Sequence, residues 1–210
     1  MKNIKVMSLV SLMLLSVQAN ASLLVEQYND YWSSSLSNLM DYADENDASA
    51  SGYYDIIDFT DDPGGFAGEI PGSNTWLTDD TDTFFAKISG EFETTFDDTF
   101  WFRTFNDDGV FVIIDGDLII NDPTLHGEQQ FTASKYLETG IHTVELYFFE
   151  NTGEASLEFS VANSSQEYGH FFGEDSPFQV PVTQDVPEPA TMGALLLGLV
   201  TMAGRRRKAA

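Results

Sequence analysis

Apolar and polar residues alternate with a period of two over most of the second half of the chain. Phe84, Ala86, Ile88 and Phe92 share one parity, with Lys87, Ser89 and Glu91 on the other. Val144, Leu146 and Phe148 alternate with Thr143, Glu145 and Tyr147, and Ala155, Leu157, Phe159 and Val161 with Ser156, Glu158 and Ser160. Successive side chains of a strand point to opposite faces, so each run predicts a half-buried antiparallel strand. Residues 110–114 and 118–120 are apolar at both parities and flank Asp115-Gly116-Asp117, which predicts a hairpin of two central strands. Before Thr83, Leu36, Leu39, Met40 and Ala43 recur at helical spacing behind Ser33-Ser34-Ser35, predicting a capped helix with that stripe in the core. Residues 44–52 read as loop, and Asp61-Asp62-Pro63-Gly64-Gly65 and Pro71-Gly72-Ser73-Asn74 as turns. Tyr168, Phe171, Phe172 and Phe178 predict that the polar stretch from Ser164 still packs on the domain. Many short strands without intervening helices predict an all-β fold, an antiparallel β-sandwich over residues 22–179, followed by a linker at 180–185.

Both ends depart from this pattern. Lys2 and Lys5 precede an apolar run over 6–17, and Ala19-Asn20-Ala21 is a small-x-small site, so residues 1–21 read as a signal peptide cleaved after Ala21. Near the other end, Val186-Pro187-Glu188-Pro189 leads into an apolar run over 191–203 and then Arg205-Arg206-Arg207-Lys208. A helix of about 13 residues spans about 20 Å, short of the ~30 Å hydrocarbon core, so this transmembrane segment makes a poor permanent anchor. The arginines favour the cytoplasmic side. Transient membrane anchoring followed by cleavage near the prolines suits those dimensions.

Between the ends lie 33 of the 34 acidic residues but only three of the nine Lys and Arg. So acidic a body repels phosphate backbones, which argues against nucleic acid as a partner, and attracts divalent cations. The absence of cysteine excludes disulfides, thiolate metal sites and cysteine nucleophiles. An exported domain of this kind relies on packing or on an oxygen-ligated metal, for which calcium is the fitting ion.

The densest cluster of chemistry is Phe105-Asn106-Asp107-Asp108-Gly109-Val110. Adjacent Asp107 and Asp108 at one loop tip supply a hard cation with several oxygens if both carboxylates face the same way. Neighbouring extended residues normally diverge, so this requires an unusual backbone such as a cis peptide. The alternative is structural: Asp107 accepts backbone N–H bonds within the turn and Gly109 supplies a positive φ.

At these residues the chain resembles the protective-antigen-type (PA-fourteen) β-sandwich domain. The resemblance runs from Phe100 through Asn106-Asp107-Asp108-Gly109, Asp115-Gly116, His126-Gly127, Gly140-Ile141-His142 and Tyr147-Phe148-Phe149-Glu150-Asn151 to Gly153-Glu154-Ala155-Ser156-Leu157. Leu23-Leu24-Val25-Glu26-Gln27-Tyr28 is similar to the family's weaker opening strand. The family includes carbohydrate-binding modules and adhesin lectins. In the lectin branch a paired-aspartate turn binds calcium and the calcium binds sugar hydroxyls. The resemblance implies metal ligands at Asp107, Asp108 and Asn151, and a glycan or exopolysaccharide as partner. The tail at 186–208 resembles the PEP-CTERM sorting signal. Val186, Pro187, Glu188 and Pro189 form its motif and Arg205, Arg206 and Arg207 its basic stop, which implies an exosortase-type processing enzyme as partner.

Enzyme readings gain little. Acidic pairs recur at Asp61-Asp62, Asp79-Asp80 and Asp97-Asp98, so a pair by itself decides nothing. His126, His142 and His170 lack metal-ligand spacing, and no nucleophile-elbow motif is present. The expectation is a non-enzymatic protein exported across the inner membrane to the cell surface or extracellular matrix, with a calcium-dependent carbohydrate-binding adhesion module. A structural matrix protein without sugar binding is the alternative.

Overall fold

The structure, a computed structural model, describes residues 23–61, 74–79, 82–164, 167–172 and 176–179. The export signal, the linker and the sorting tail lie outside the described residues. The elements run β1 (Leu23–Asn29), α1 (Leu36–Glu45), β2 (Ala50–Tyr54), β3 (Asp58–Thr60), β4 (Asn74–Thr75), β5 (Thr83–Thr94), β6 (Asp98–Asp107), β7 (Gly109–Ile114), β8 (Asp117–Asp122), β9 (Gln129–Leu137), β10 (Gly140–Asn151), β11 (Ser156–Ala162) and β12 (Gly169–His170). They form two sheets, β2-β1-β5-β10-β7-β8 and β4-β3-β11-β6-β9, with β12 beside β11. Their pairings are antiparallel except for the short β3–β4 contact, which is parallel.

The predicted inward parities meet between the sheets. Phe84, Ala86, Ile88 and Phe92 of β5, Val144, Leu146 and Phe148 of β10, and Leu157, Phe159 and Val161 of β11 are at most 1% exposed. Each such aromatic or aliphatic side chain contributes roughly 1.5–3 kcal/mol through burial. Phe171, Phe172 and Phe178 complete this core, as their sequence predicted. Trp76 is stacked between Phe59 and Phe148, with ring centroids 4.9 Å from each.

A third layer explains why the hairpin strands are apolar at both parities. Helix α1 lies over the outer face of the first sheet, where Leu39 packs with Tyr28, Phe85, Phe111, Ile113, Tyr147 and Phe149. The expectation that both hairpin strands are central is therefore corrected. β7 is buried on two sides by the core and the helix layer, but β8 is an edge strand with Leu118 exposed. The helix stripe is narrower than expected, with only Leu39 buried within it. Ser35 stands at the N-cap in extended conformation, but its hydroxyl bonds Ser37 rather than the helix backbone. The predicted loop over 44–52 ends early, because Ala50 already pairs with Gln27. The turn behaves as predicted: Asp115 and Gly116 have φ of 53° and 78°, the two left-handed positions of a type I′ hairpin. Among the described residues no helix is long and apolar enough to cross a membrane.

Candidate functional site

Five strand ends converge at one end of the sandwich. β6 finishes at Asp107 in the second sheet and β7 begins at Gly109 in the first, so the chain crosses between sheets at Asp107-Asp108. Beside this crossing, Phe149 pairs with Gly109, Ser156 with Asp107, and Asp122 with Val110. The peptide joining Asp107 and Asp108 is cis. Carboxylate oxygens of Asp107, Asp108 and Glu150 lie within 4.8 Å of one another.

The backbone around the triad is held by its neighbours. Asp108 Oδ1 accepts from the His126 backbone N–H at 2.7 Å, and Oδ2 from the Asn151 N–H at 3.0 Å. The Asp108 N–H donates to Glu150 Oε2 at 3.0 Å, and Asn106 Nδ2 donates to the Asp108 carbonyl at 2.6 Å. Asp122 is buried and fastens the β8–β9 connection. It accepts from Asn106 Nδ2, from the Thr124 hydroxyl and from His126 Nε2, the last at 2.7 Å. His126 is thus a brace for the loop that presents its own N–H to Asp108. Desolvation pulls its pKa down, but hydrogen bonds to Asp122 and the Gly127 carbonyl, with the charges of Asp122 and Asp108, outweigh this and leave it raised.

Two expectations about the turn change. The carboxylate that accepts backbone N–H bonds is that of Asp108, not Asp107. Gly109 is not in the left-handed region, and close packing is what requires it. A Cβ there would lie 2.2 Å from Phe149 Cζ and 2.7 Å from the Asp122 carbonyl.

Glu150 was missing from the expected ligand set. It is fully buried, and its Oε1 has no hydrogen-bond partner. Burial, then the charges of Asp108 and Asp107, push its pKa up to about 9. Burial and the Asp108 charge likewise push Asp107 up to about 6. A signal for Glu150 existed in the sequence: it shares the parity of Val144, Leu146 and Phe148, so the alternation of β10 carries a carboxylate onto the core face. Asn151 falls on the opposite parity, where its backbone reaches Asp108. A buried carboxylate oxygen without a donor is costly, and three converging carboxylates repel one another. An oxygen-liganded divalent cation relieves both, so the donor set fits calcium.

Residues 185–208 match the PEP-CTERM protein-sorting motif. No curated protein matches the chain in sequence. Among solved structures, a PA14 sugar-binding domain from an RTX adhesin superposes with a TM-score of 0.57 at 20% identity, covering 71% of this chain and 94% of that one. The PA14 domain of the MpAFP antifreeze protein gives 0.53 at 15%, covering 70% and 85%. An epithelial adhesin A domain from Candida glabrata, subtype-switched and in complex with beta-lactose, gives 0.55 at 12%, covering 73% and 86%. The body is therefore a β-sandwich of the PA14 type. The chain thus joins this fold to a PEP-CTERM sorting motif at residues 185–208.

Proposed function

We propose that this domain is a calcium-dependent carbohydrate-binding module of an exported surface or matrix protein. The observation that carries the reading is the fully buried Glu150, whose carboxylate groups with those of Asp107 and Asp108 at the sandwich end and whose Oε1 has no hydrogen-bond partner. Asp107, Asp108 and Glu150 would hold the ion, with Asn151 beside them as the fourth residue of the set. Bound calcium would supply a Lewis-acidic centre for sugar hydroxyls. The protein's part is to fix the ligands: Asn151 and His126 aim Asp108 through backbone N–H groups, and Asn106 and Asp122 fix the crossing strand.

The sugar-binding and lactose-bound adhesin domains of the same fold support the reading without assigning a ligand. The sorting motif supports export, with residues 1–21 removed on translocation, brief membrane anchoring through 191–203, and exosortase-type processing near Val186-Pro187-Glu188-Pro189. The module then binds exopolysaccharide at the cell surface or in the matrix, and catalyses no reaction.

Glycan capture by the purified 22–185 fragment, in calcium and then in excess chelator, tests the proposal. Binding lost in chelator is the expected result. Absence of binding in both conditions would instead leave a structural matrix role.

A further inference from the structure

Different parts of the chain mark the two ends of the sandwich. β5 and β10 run its length side by side, with Phe84 opposite Glu150 and Thr94 opposite Gly140. The carboxylate triad therefore lies at the Phe84 end of β5. The described chain leaves at the other end. β1 covers one flank of β5 only from Phe84 to Ser89. Farther along that flank Gln179 takes the place of a strand residue. The Glu93 N–H donates to the Gln179 carbonyl at 2.7 Å, and the Gln179 N–H to the Glu93 carbonyl at 2.9 Å. This exit is held from within the core. Phe178 is 3% exposed, its ring centroid 4.3 Å from that of Phe92 and 5.0 Å from that of Phe100. Its N–H donates to the Ser176 hydroxyl at 3.0 Å, and that hydroxyl donates to the Phe171 carbonyl.

The steps of β5 from Phe84 to Glu93, at ~3.3 Å each, put the exit about 30 Å from the triad end. The sorting motif follows closely. From Gln179 to Val186 the chain reaches at most about 25 Å even when fully extended. To Thr191, where the apolar run begins, a flexible coil of that length averages only about 20 Å end to end. Both distances fall short of the ~30 Å between the two ends of the body. A chain held by its tail thus turns its exit end toward the surface that holds it and its triad end away. Glycan on that same surface lies on the wrong side of the domain.

We propose that the module works in trans: the triad takes glycan from a facing surface, not from the surface that carries its own tail. The inference rests on the reading of the triad as the glycan-binding end and of residues 186–208 as the attachment. The absence of cysteine makes the test direct, because one introduced thiol takes one dye. The chain from Ser22 onward, with a hexahistidine tag after the tail, is held on phosphatidylcholine vesicles through nickel-chelating lipid, with acceptor dye on the headgroups. The donor dye goes on Thr95→Cys, exposed just after β5, or on Leu125→Cys, exposed beside His126 at the triad end. Energy transfer from position 125 should be at least about twofold weaker than from position 95, since that donor stands ~30 Å farther from the lipid. Equal or stronger transfer from position 125 would overturn the proposal whatever glycan binds. In calcium, a second vesicle population bearing lactosyl, mannosyl and fucosyl lipids should cluster with the protein-bearing vesicles, read by light scattering. The same glycolipids placed in the carrier vesicle should not suppress that clustering. Suppression by the carrier's own glycolipid, or capture of the soluble sugars without clustering, would also overturn it. Failure of every sugar to bind in calcium, with transfer still weaker from position 125, would overturn the glycan reading and not the orientation.

Discussion

Glu150 shows how one side chain couples a fold to an ion. Its folded pKa of about 9 lies far above the usual carboxylate range, and that of Asp107, at about 6, is raised in the same direction. A group with a raised folded pKa contributes stability below its unfolded pKa and loses it as pH climbs through the folded one. The calcium-free protein should therefore melt progressively lower as pH rises from about 4.5 to about 9. Saturating calcium should flatten that slope by favouring the ionised carboxylates. Differential scanning fluorimetry across pH, in chelator and in calcium, checks both curves. Glu150→Gln should remove most of that slope and raise the calcium-free melting temperature at neutral pH, since the wild-type group must stay protonated in the fold while the unfolded one ionises. It should abolish most of the calcium-linked rise, which for a site at 100-fold excess over Kd amounts to about 2.7 kcal/mol. A full calcium response in that variant would exclude Glu150 from the ligand set.

At the scale of elements, the helix layer and the site share a side chain. Phe149 stacks with Trp32 beside α1, ring centroids 5.7 Å apart, and its other edge fills the space that keeps position 109 a glycine. Leu39 anchors α1 on the same cluster and is fully buried. Leu39→Ala should cost about 2–5 kcal/mol, the range for a buried leucine truncated in place. Urea unfolding followed by tryptophan fluorescence reads that loss. A cost under about 1 kcal/mol would mean that the layer contributes little more than an exposed helix. The β7 sequence already carried half of this arrangement, since an apolar strand at both parities must be covered twice. What covers it was not legible. A ten-residue helix and a distant strand meet only after the chain has folded, and the narrow stripe of α1 does not name its partner.

At the scale of the molecule, charge dominates. With 33 acidic and three basic residues between the targeting segments, the domain repels itself, and counter-ions are part of its stability. In chelator, the melting temperature should rise as sodium chloride increases from about 0.01 to 0.5 M and the screening length shrinks from ~30 Å to a few ångströms. An unchanged melting temperature would mean that the carboxylates are compensated locally, as Asp97 is by Thr139 and Asp98 by Ser164.

The sequence by itself determined the strands, the inward parities, the hairpin turn, the acidic crossing at Asp107-Asp108 and the sorting tail. Each is a local matter of period two, turn chemistry or ordered composition, and needs no distant partner. Only the tertiary structure decided which carboxylates meet. Asp107 and Asp108 arrive together along the chain, but Glu150 joins them because β10 runs antiparallel to β7 and ends where β7 begins. Strand order is set by long-range packing, which leaves no local trace, so β8 became an edge and Trp76 a core residue. The same packing buried one oxygen of Glu150 and one of Asp61 without donors, a fact about surroundings that no stretch of sequence contains.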